Sequence, residues 1–300
     1  MSLKVGVDLG GTKIELVVLN ETGDECWRQR VPTPQGDYRA ILDRIEDLLL
    51  AAEAHFGPLQ PVGIGTPGAL SKATGRLKNS NSTCLNDQPL LEDLQRRLGR
   101  PVRIANDADC FALSETSDGA AAGAGCVFGV ILGTGVGGGI VVHGQLLSGP
   151  NAIAGEWGHN PLPWPKDEER PGPDCYCGKR GCIETFLSGP GLALSHRISS
   201  GQCLTAEEIA ARAGHGDAAC EQSMRTYEDR LARALAHVIN LLDPEVIVLG
   251  GGVSRCTRLY THIPQLWGRY VFSDRVDTRL LPPRFGDSSG VRGAAWLWGE

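Results

Sequence analysis

The sequence lacks the features of secreted, membrane-bound and nucleic-acid-binding proteins. No uninterrupted apolar stretch reaches bilayer length, and residues 1–8 contain no basic segment followed by an apolar run and a small-residue cleavage site. The formal net charge is -6, and lysines and arginines are scattered rather than gathered into a stripe that would follow a phosphate backbone. We therefore predict a cytoplasmic protein with no membrane and no nucleic acid among its partners.

Two common nucleotide-binding signatures are also incomplete. The glycine turn at residues 10–13 lacks the earlier glycine and the Lys-Ser/Thr ending of a Walker motif. The glycines of residues 133–138 have the spacing of a dinucleotide fingerprint, but that fingerprint must open a helix, and residues 140–142 are typical of a strand. The sequence thus argues against both of these nucleotide sites.

The residues that are present suit a two-lobed α/β protein. With 41% hydrophobic residues in a chain of 300, the core can be sizeable, and the length favours two domains or lobes. Apolar runs at 4–9 and 14–19 around a glycine turn predict strand, turn and strand, and the same unit recurs over 127–142. Two such units, roughly 120 residues apart, indicate two similar lobes that each offer a glycine turn to a shared cleft.

The two glycine turns are candidate phosphate sites. Backbone N–H groups freed by glycine form an anion-binding concavity, to which a threonine hydroxyl and a lysine ammonium add donors. The first turn comprises Gly10, Gly11, Thr12 and Lys13, and the second begins with Gly133, Thr134 and Gly135. Asp8 ends the first strand, where it is placed to hold the magnesium ion that phosphoryl transfer requires. The alternative is a pair of plain β-hairpins with glycine turns.

A second carboxylate follows a predicted strand over residues 102–105. Asn106 and Asp107 stand at its carboxyl end, the edge at which open α/β sheets bind ligands. Asp107 is a candidate general base that takes the proton from an attacking hydroxyl, while Asn106 orients that hydroxyl. The alternative is a helix N-cap, a common use of Asn and Asp at such a boundary.

The segment 156–184 holds one histidine and three cysteines at spacings that suit a metal. The candidate ligands are His159, Cys175, Cys177 and Cys182. Four protein ligands leave no position for water, so a zinc ion here would be structural and the segment a rigid substrate-binding knuckle. The alternative is ordinary buried or disulfide-bonded cysteines, although the other seven of the ten cysteines are scattered without pairing rhythm.

Carboxylates flank this segment and suggest a sugar site. Glu156, His159 and Glu184 would form a polar wall, and a polyhydroxyl ligand needs such a wall because each hydroxyl is both donor and acceptor. The alternative for the two glutamates is solvated loop charge. The Pro-rich, charged residues 161–174 predict a surface excursion held at both ends by the metal ligands, and residues 290–298 predict a helix of small residues.

These motifs occur in the order seen in the ROK family of sugar kinases, and the chain resembles that family over almost its whole length. The matching stretches are residues 8–13, 65–68, 106–107, 133–139, 156–159 and 175–184. The resemblance implies an actin-like ATPase (ribonuclease H-like) α/β fold whose two lobes close on sugar and nucleotide, and a homodimer. The implied lobes are residues 1–118, with helix 288–300 as a candidate addition, and residues 119–287, which include the zinc knuckle 156–184.

The resemblance also implies roles for individual residues. Asp107 would be the catalytic base. The sugar would face Gly68, Asn81, Asn106, Asp107, Glu156, His159 and Glu184. ATP would lie against Asp8 with its Mg²⁺, against Gly10, Gly11, Thr12, Lys13, Gly133, Thr134 and Gly135, and, at the adenosine, against Gly250, Gly251 and Gly252. The structural Zn²⁺ would bind to His159, Cys175, Cys177 and Cys182.

Three stretches more closely resemble bacterial fructokinases of the manno(fructo)kinase type, namely residues 79–83, 159–164 and 287–296. We therefore predict an ATP-dependent hexose kinase that phosphorylates D-fructose at its 6-hydroxyl, with glucose, mannose, N-acetylglucosamine and N-acetylmannosamine as alternative acceptors. The chain departs from the family at Asp109, more often Asn, where an extra carboxylate could raise the pKa of the base. It departs from the fructokinases at residues 84–87, where Trp and Gly are usual.

Two alternatives belong to another functional class. The ROK family includes sugar-responsive repressors, but these need a helix-turn-helix before the first glycine turn, and seven residues precede Asp8. A sugar-binding protein without catalysis is the other alternative, and the presence of Asp8, Thr12 and Asp107 argues against it. An enzyme remains the prediction.

Overall fold

The computed structural model describes residues 3–299, and the chain forms two compact units. Unit 1 comprises Met1–Gly123, Gly139–Ala154 and Asp287–Glu300, and unit 2 comprises Ala124–Gly138 and Gly155–Gly286. Relative to the predicted lobes 1–118 and 119–287, unit 1 also includes residues 119–123 and 139–154. Gly139 explains part of this, because a side chain there would meet the Ala108 carbonyl oxygen of unit 1 at 2.5 Å.

Strands and helices alternate along the chain. The strands are β1 (Lys4–Leu9), β2 (Lys13–Leu19), β3 (Glu25–Pro32), β4 (Val62–Thr66), β5 (Ala69–Leu70), β6 (Leu77–Lys78), β7 (Val102–Asn106), β8 (Cys126–Leu132), β9 (Val136–Val142), β10 (Gln145–Leu146), β11 (Val246–Gly250) and β12 (Arg279–Leu281). The helices are α1 (Tyr38–Phe56), α2 (Leu90–Leu98), α3 (Asp107–Ser117), α4 (Ile183–Leu187), α5 (Gly189–Ser200), α6 (Ala206–Gly214), α7 (Ala218–Leu242), α8 (Leu259–Leu266) and α9 (Ser289–Trp296). Within residues 3–299, no helix is long and apolar enough to cross a membrane.

Unit 1 is built on a five-stranded sheet of order β3-β2-β1-β4-β7. The first three strands of the chain pair antiparallel, whereas β1, β4 and β7 run parallel. In the parallel register Asp8 stands opposite Gly65, and Thr66 stands opposite Asn106. The carboxyl ends of the three strands therefore lie at one edge, where Asp107 begins α3.

Helix α1 shows why this sheet buries one of its faces. Its apolar residues recur at helical spacing and are buried, and they are Ile41, Leu42, Ile45, Leu48, Leu49 and Ala52. The helix begins at Asp37, whose side chain accepts a hydrogen bond from Ala40 N at 3.0 Å and so satisfies one of the free N–H groups of the first turn. The buried stripe joins a hydrophobic core with the sheet residues Val5, Val7 and Ile64.

Helix α9 covers another part of this sheet at very short range. Val291 and Ala295 form a cluster with Val17 and Leu19 of β2. Side chains at Gly6, Gly63 and Gly293 would overlap backbone atoms of Val291, Ala294 and Cys110, respectively. Glycine at these three positions therefore allows α9 to lie directly on the strands and on α3, and the predicted small-residue helix belongs to unit 1.

A second sheet has the order β10-β9-β8-β11-β12. In unit 2, β11 pairs parallel with both β8 and β12. Helix α7, with 25 residues, packs against α5, α6 and α8 and buries Tyr227, Leu231 and Leu235. Strands β8 and β11 both end in glycine-rich turns, at residues 133–135 and 250–252, which places the two turns at the carboxyl edge of the parallel strands.

Candidate active site

Asp107 is an exposed carboxylate at the N-terminus of a helix. Asn106 is the N-cap of α3, and its Oδ1 accepts a hydrogen bond from Ala108 N at 2.8 Å. The amide Nδ2 of Asn106 donates to the carbonyl of Gly68 at 3.1 Å. The N-cap interpretation of Asn106 is therefore correct as local structure, and the cap leaves Asp107 facing solvent at the edge where β1, β4 and β7 end.

Asp8 lies close enough to Asp107 for their charges to interact. Burial raises the pKa of Asp8 to about 7, and the negative charges of Asp107 and Glu15 act in the same direction. Two positive side chains, Lys13 and Arg30, oppose this increase. The edge of the sheet thus concentrates carboxylate oxygens, the ligands that Mg²⁺ prefers, and a bound cation would relieve their repulsion.

The first glycine turn closes the β1–β2 hairpin. Gly10 N donates to the Lys13 carbonyl at 3.0 Å, and the Thr33 hydroxyl donates to the Gly10 carbonyl at 2.7 Å. Gly11 and Thr12 are exposed at the tip, whereas the Lys13 ammonium lies 3.7 Å from Glu15. The turn is thus a β-hairpin, as the alternative interpretation held, with an accessible tip that can still meet a phosphate.

Gly68 joins the predicted sugar residues of unit 1. Its φ is +84°, and a side chain there would lie 2.9 Å from Ser80 N. Asn86 holds the same segment, because its side chain accepts from Ser80 N and donates to Ser80 O, each at 2.8 Å. Gly68, Asn106 and the segment that contains the exposed Asn81 are therefore connected next to Asp107. Asn86 is a positioning residue that the sequence had marked only as a departure.

In unit 2, Glu184 is bound to the second glycine turn. Its Oε2 accepts a hydrogen bond from Val136 N at 2.9 Å, and a side chain at Gly135 would meet that oxygen at 2.7 Å. The turn is also tied to α5, because Gly189 N donates to Gly133 O at 2.8 Å. The solvated-charge interpretation is therefore wrong for Glu184, whereas Glu156 is exposed.

A cavity of about 650 Å³ opens beside this turn. It is lined by Gly133 and Thr134, by Gly252 and Val253 after β11, and by residues of α5, α6 and the turn before α8. Gly251 has φ of +81°, and its Cα approaches the Leu132 backbone so closely that a side chain would overlap it. The sequence indicated the two glycine turns but not α5 and α6, whose Ala and Leu residues resemble an ordinary core.

The four candidate metal ligands come together in unit 2. The ligand atoms of His159, Cys175, Cys177 and Cys182 all lie within 4.8 Å of one another. Cys177 Sγ is 3.6 Å from Cys182 Sγ, and Cys175 Sγ is 3.6 Å from His159 Nδ1. The cysteines are free, and these separations exceed a disulfide bond but match the edge of a tetrahedron with metal–ligand bonds of roughly 2.0–2.3 Å.

Tyr176, which the sequence did not single out, lies against His159 of the predicted polar wall. Its hydroxyl is 2.9 Å from His159 Nε2, and its ring meets the histidine ring edge to face. Although most of the Tyr176 side chain is exposed, partial desolvation raises its pKa to about 12, and the charges of Glu184 and Glu156 add to this increase. Its position between two cysteines was the signal available in the sequence.

The excursion, residues 161–174, is anchored in its middle as well as at its ends. Glu169 is 4% exposed, and its carboxylate accepts hydrogen bonds from Arg230 and Arg233 of α7 at 2.7 and 2.8 Å. Arg233 also donates to the carbonyls of Pro163 and Trp164. The excursion is therefore attached to the longest helix of unit 2 independently of any metal.

Comparison with known proteins assigns this arrangement to a family. The model of the ROK family matches residues 4–300. An N-acetyl-D-glucosamine kinase of Yersinia pseudotuberculosis serotype O:1b (strain IP 31758) is 40% identical over 296 residues, which cover 97% of each chain. The ROK hexokinase of Thermus thermophilus superposes with a TM-score of 0.87 at 30% identity, covering 98% of this chain and 97% of that one. A ROK family glucokinase of Streptomyces griseus, solved with glucose and AMPPNP, superposes with a TM-score of 0.78 at 29% identity, covering 98% of each chain.

Proposed function

The chain belongs to the ROK family and is a sugar kinase of that family with the two-domain α/β fold; from this premise we propose that it transfers a phosphoryl group from ATP to the 6-hydroxyl of D-fructose. The single observation that carries the reaction type is the exposed Asp107 beside Asp8 at the carboxyl edge of the unit 1 sheet. A phosphoryl transferase needs a base for the acceptor hydroxyl and oxygen ligands for magnesium, and these two carboxylates supply both.

Asp107 acts as the general base in this proposal. It accepts the proton of the sugar 6-hydroxyl as that oxygen bonds to the γ-phosphorus and ADP leaves with the electrons of the broken bond. Asn106 and Gly68 hold the adjoining backbone in place, and Asn81 contributes to the sugar side. Asp8 would hold Mg²⁺, which supplies positive charge to the phosphates when bound.

The nucleotide side of the proposal rests on the cavity of unit 2. Its volume suits an adenosine, and it is lined by Gly133 and Thr134 of the second glycine turn, where Thr134 would donate to phosphate oxygens. Gly250, Gly251 and Gly252 follow β11 at the same edge. Of the ATP-binding residues proposed from sequence, those at 133–135 and 250–252 thus belong to unit 2, whereas Asp8 and residues 10–13 belong to unit 1.

Two observations favour different acceptors. The likeness of residues 79–83 and 159–164 to fructokinases favours D-fructose, and Ser80 lies close to Gly68, whose carbonyl accepts a hydrogen bond from Asn106. The relatives that are 40% identical are N-acetyl-D-glucosamine kinases, so this amino sugar is the second candidate. Sugar kinases select among hexoses by the placement of a few hydrogen bonds, and overall identity at this level does not decide between the two.

We also propose that the Cys₃His cluster binds a structural Zn²⁺. The soft thiolates, the single imidazole and the 3.6 Å separations of two ligand pairs support this ion, and four protein ligands would close its coordination shell. Zinc would hold the segment that carries Glu156 and Glu184. The homodimer and the cytoplasmic location remain predictions of the sequence.

A coupled ADP-release assay with Mg²⁺ tests the proposed reaction. The panel contains fructose, N-acetylglucosamine, mannose, glucose and N-acetylmannosamine, each compared by kcat/KM. We expect fructose to give the highest value. A preference for N-acetylglucosamine would keep the reaction and replace the acceptor, whereas the absence of turnover with every hexose would refute the proposal.

A further inference from the structure

Glu207 is a carboxylate in the wall of the unit 2 cavity. Within the described part of the chain it is the only acidic residue that lines the cavity, and all the lining residues belong to unit 2. The basic lining residues, Arg255 and Arg258, carry donors only. The guanidinium of Arg258 is bound to two carboxylates outside the lining, those of Glu221 and Glu228, at 2.6 Å each. Glu207 therefore supplies the charged hydrogen-bond acceptor of the cavity wall.

The adjacent glutamate is occupied by the helix itself, whereas Glu207 is not. The Oε2 atom of Glu208 accepts a hydrogen bond from Thr205 N at 2.8 Å, and Glu208 N donates to the Thr205 hydroxyl at 3.2 Å. This reciprocal pair is a capping box at the start of α6. Glu207 is exposed, and within residues 3–299 no hydrogen bond or ion pair engages its carboxylate. Both of its oxygens can therefore accept from a ligand.

The start of α6 adjoins the second glycine turn. Gly189 N donates to the Gly133 carbonyl at 2.8 Å. A side chain at Gly189 would lie 3.4 Å from that carbonyl oxygen and 3.8 Å from Cβ of Ala206, the first residue of α6. Only the backbone of Gly189 therefore separates the helix start from the turn. The first turn of α6, which carries Glu207, lies beside the residues proposed to meet the phosphates.

From this end the cavity extends along the helix. Ala210, Ala211 and Gly214 line it farther along α6, and Gly214 is about 12 Å from Ala206 by the ordinary rise of an α-helix. These small residues leave room for a flat base. A nucleotide with its phosphates at residues 133–134 and its base against these residues places its ribose beside the first turn of α6.

A ribose presents two neighbouring hydroxyls, and each can donate a hydrogen bond to a carboxylate, which only accepts. We propose that Glu207 accepts hydrogen bonds from the 2′- and 3′-hydroxyls of the bound nucleotide and thereby makes the protein prefer ribonucleotides to deoxyribonucleotides. The inference rests on the proposed ATP site and deepens it. The 6-amino group of adenine is also a donor, but it belongs to the base, which the small residues of α6 place farther along the cavity.

The test measures binding of ADP, 2′-deoxy-ADP and 3′-deoxy-ADP to the full chain by titration calorimetry with Mg²⁺. With the wild type, loss of either hydroxyl should raise Kd about 2- to 12-fold, the contribution of one hydrogen bond. Glu207→Ala should raise Kd for ADP by at least this factor. The variant should bind the three nucleotides with Kd values within twofold of one another, because the partner of both hydroxyls is gone. A variant that still prefers ADP would overturn the inference.

Glu208→Gln is the matched control. It removes the same charge from the neighbouring residue, and glutamine also serves in a capping box. Because phosphates are negative, the loss of a nearby carboxylate charge by itself strengthens nucleotide binding, so this electrostatic effect and the proposed one have opposite signs. We expect Kd for ADP to fall or to stay within twofold of the wild type, with the preference over the deoxy forms retained. Loss of that preference in Glu208→Gln would contradict the inference.

Inosine diphosphate separates the ribose from the base. It keeps the ribose and has a carbonyl oxygen in place of the 6-amino group of adenine. We expect Glu207→Ala to raise its Kd by the same factor as for ADP. If the substitution weakens ADP alone, the carboxylate bonds to the amine and the inference is wrong. If the wild type binds neither ADP nor ATP, the proposed nucleotide site itself has failed, whereas equal wild-type affinity for ADP and its deoxy forms refutes only the role of Glu207.

Discussion

Asp8 in unit 1 and Glu169 in unit 2 are carboxylates withdrawn from solvent, yet their protonation equilibria move in opposite directions. Burial raises the pKa of Asp8 to about 7, and the charges of Asp107 and Glu15 add to the effect. Burial also raises the pKa of Glu169, but hydrogen bonds from Arg233 and Arg230 outweigh it and bring the pKa to about 2. The neighbours, more than the loss of water, decide the outcome.

The difference in pKa distinguishes a carboxylate in a candidate ligand-binding site from one in a structural ion-pair cluster. Glu169 finds its positive partners within the same unit, so its charge is balanced before any ligand arrives. The cations nearest to Asp8, Lys13 and Arg30, form their ion pairs with Glu15, so the pKa of Asp8 stays raised where Mg²⁺ and phosphates are proposed to bind. A buried carboxylate with a raised pKa at a strand edge therefore indicates a ligand-binding position, whereas one balanced by arginines indicates a structural role.

The largest expected effect is on turnover, from Asp107→Asn. We expect kcat to fall roughly 10²- to 10⁴-fold, because the general base is lost, with the melting temperature unchanged. Asp109→Asn is the control, since it removes a charge two residues away and should cost much less. Retention of most activity by Asp107→Asn would remove this residue from the role of base.

The second effect is on stability, from Glu169→Gln. Removing the Glu169 charge leaves Arg230 without a carboxylate and Arg233 with Asp229 alone, and we expect a loss of about 3–5 kcal/mol in the free energy of unfolding by urea. Asp167→Asn, on the exposed side of the same turn, should change stability little. Equal stability of the two variants would mean that the excursion does not depend on Glu169.

Acid unfolding sharpens the same test. The folded pKa of Glu169 lies below its usual 4.5, so its stabilising contribution is complete above about pH 4.5 and is lost as the pH falls towards 2. The free-energy gap between wild type and Glu169→Gln should therefore close as the solution is acidified. A gap that is constant with pH would contradict the assigned ion pairs.

A third effect concerns the metal cluster. Cys177→Ser should abolish binding of the proposed zinc and lower the unfolding free energy by about 2 kcal/mol, a limited loss because Glu169 still anchors the excursion. Cys203→Ser changes an exposed cysteine outside the cluster and serves as the control. A variant free of zinc that melts like the wild type would exclude a structural metal.

The smallest expected effect comes from Asp8→Asn and has the opposite pH dependence. The folded pKa of Asp8 is raised from 3.8 to about 7, so its ionised form destabilises the fold, and that cost appears as the pH rises through this range. Without Mg²⁺ and above pH 7, the free energy of unfolding of the variant should exceed that of the wild type by about 1–2 kcal/mol. The partial exposure of Asp8 reduces this difference. Saturating Mg²⁺ should reduce this difference in stability. Differential scanning calorimetry at pH 5 and pH 8, with and without Mg²⁺, measures the effects of pH and of the cation. A gap of the same size at both values would argue against the raised pKa.

Local pattern was sufficient for much of the fold. The apolar runs at 4–9 and 14–19 appear as β1 and β2, and the helical spacing in α1 matches its buried stripe. The ROK resemblance is confirmed by the family match, and the ligand set of the cluster is brought together as its spacing predicted. These features depend on neighbours in sequence, where periodicity and turn chemistry carry the information.

What escaped prediction depends on partners far along the chain. Glu169 lies in a charged, Pro-rich stretch that indicated a surface excursion, and its arginines are more than 60 residues away on α7. The sequence did not predict that α5 and α6 line the cavity, because small apolar residues suit a hydrophobic core as well as a cavity wall. Fructose as the acceptor was predicted from short stretches and stays a prediction.

The placement of α9 determines when unit 1 can complete its core. This helix lies directly on strands that begin at residue 4, yet all of unit 2 separates it from them in the sequence. During synthesis, the face of β2 that carries Val17 and Leu19 stays uncovered while more than 260 further residues leave the ribosome, because Val291 and Ala295 emerge so late. Unit 2 can fold in the meantime. The apolar surface available to a nascent-chain chaperone would therefore lie on the first unit synthesised. It would be covered only after α9 has left the ribosome.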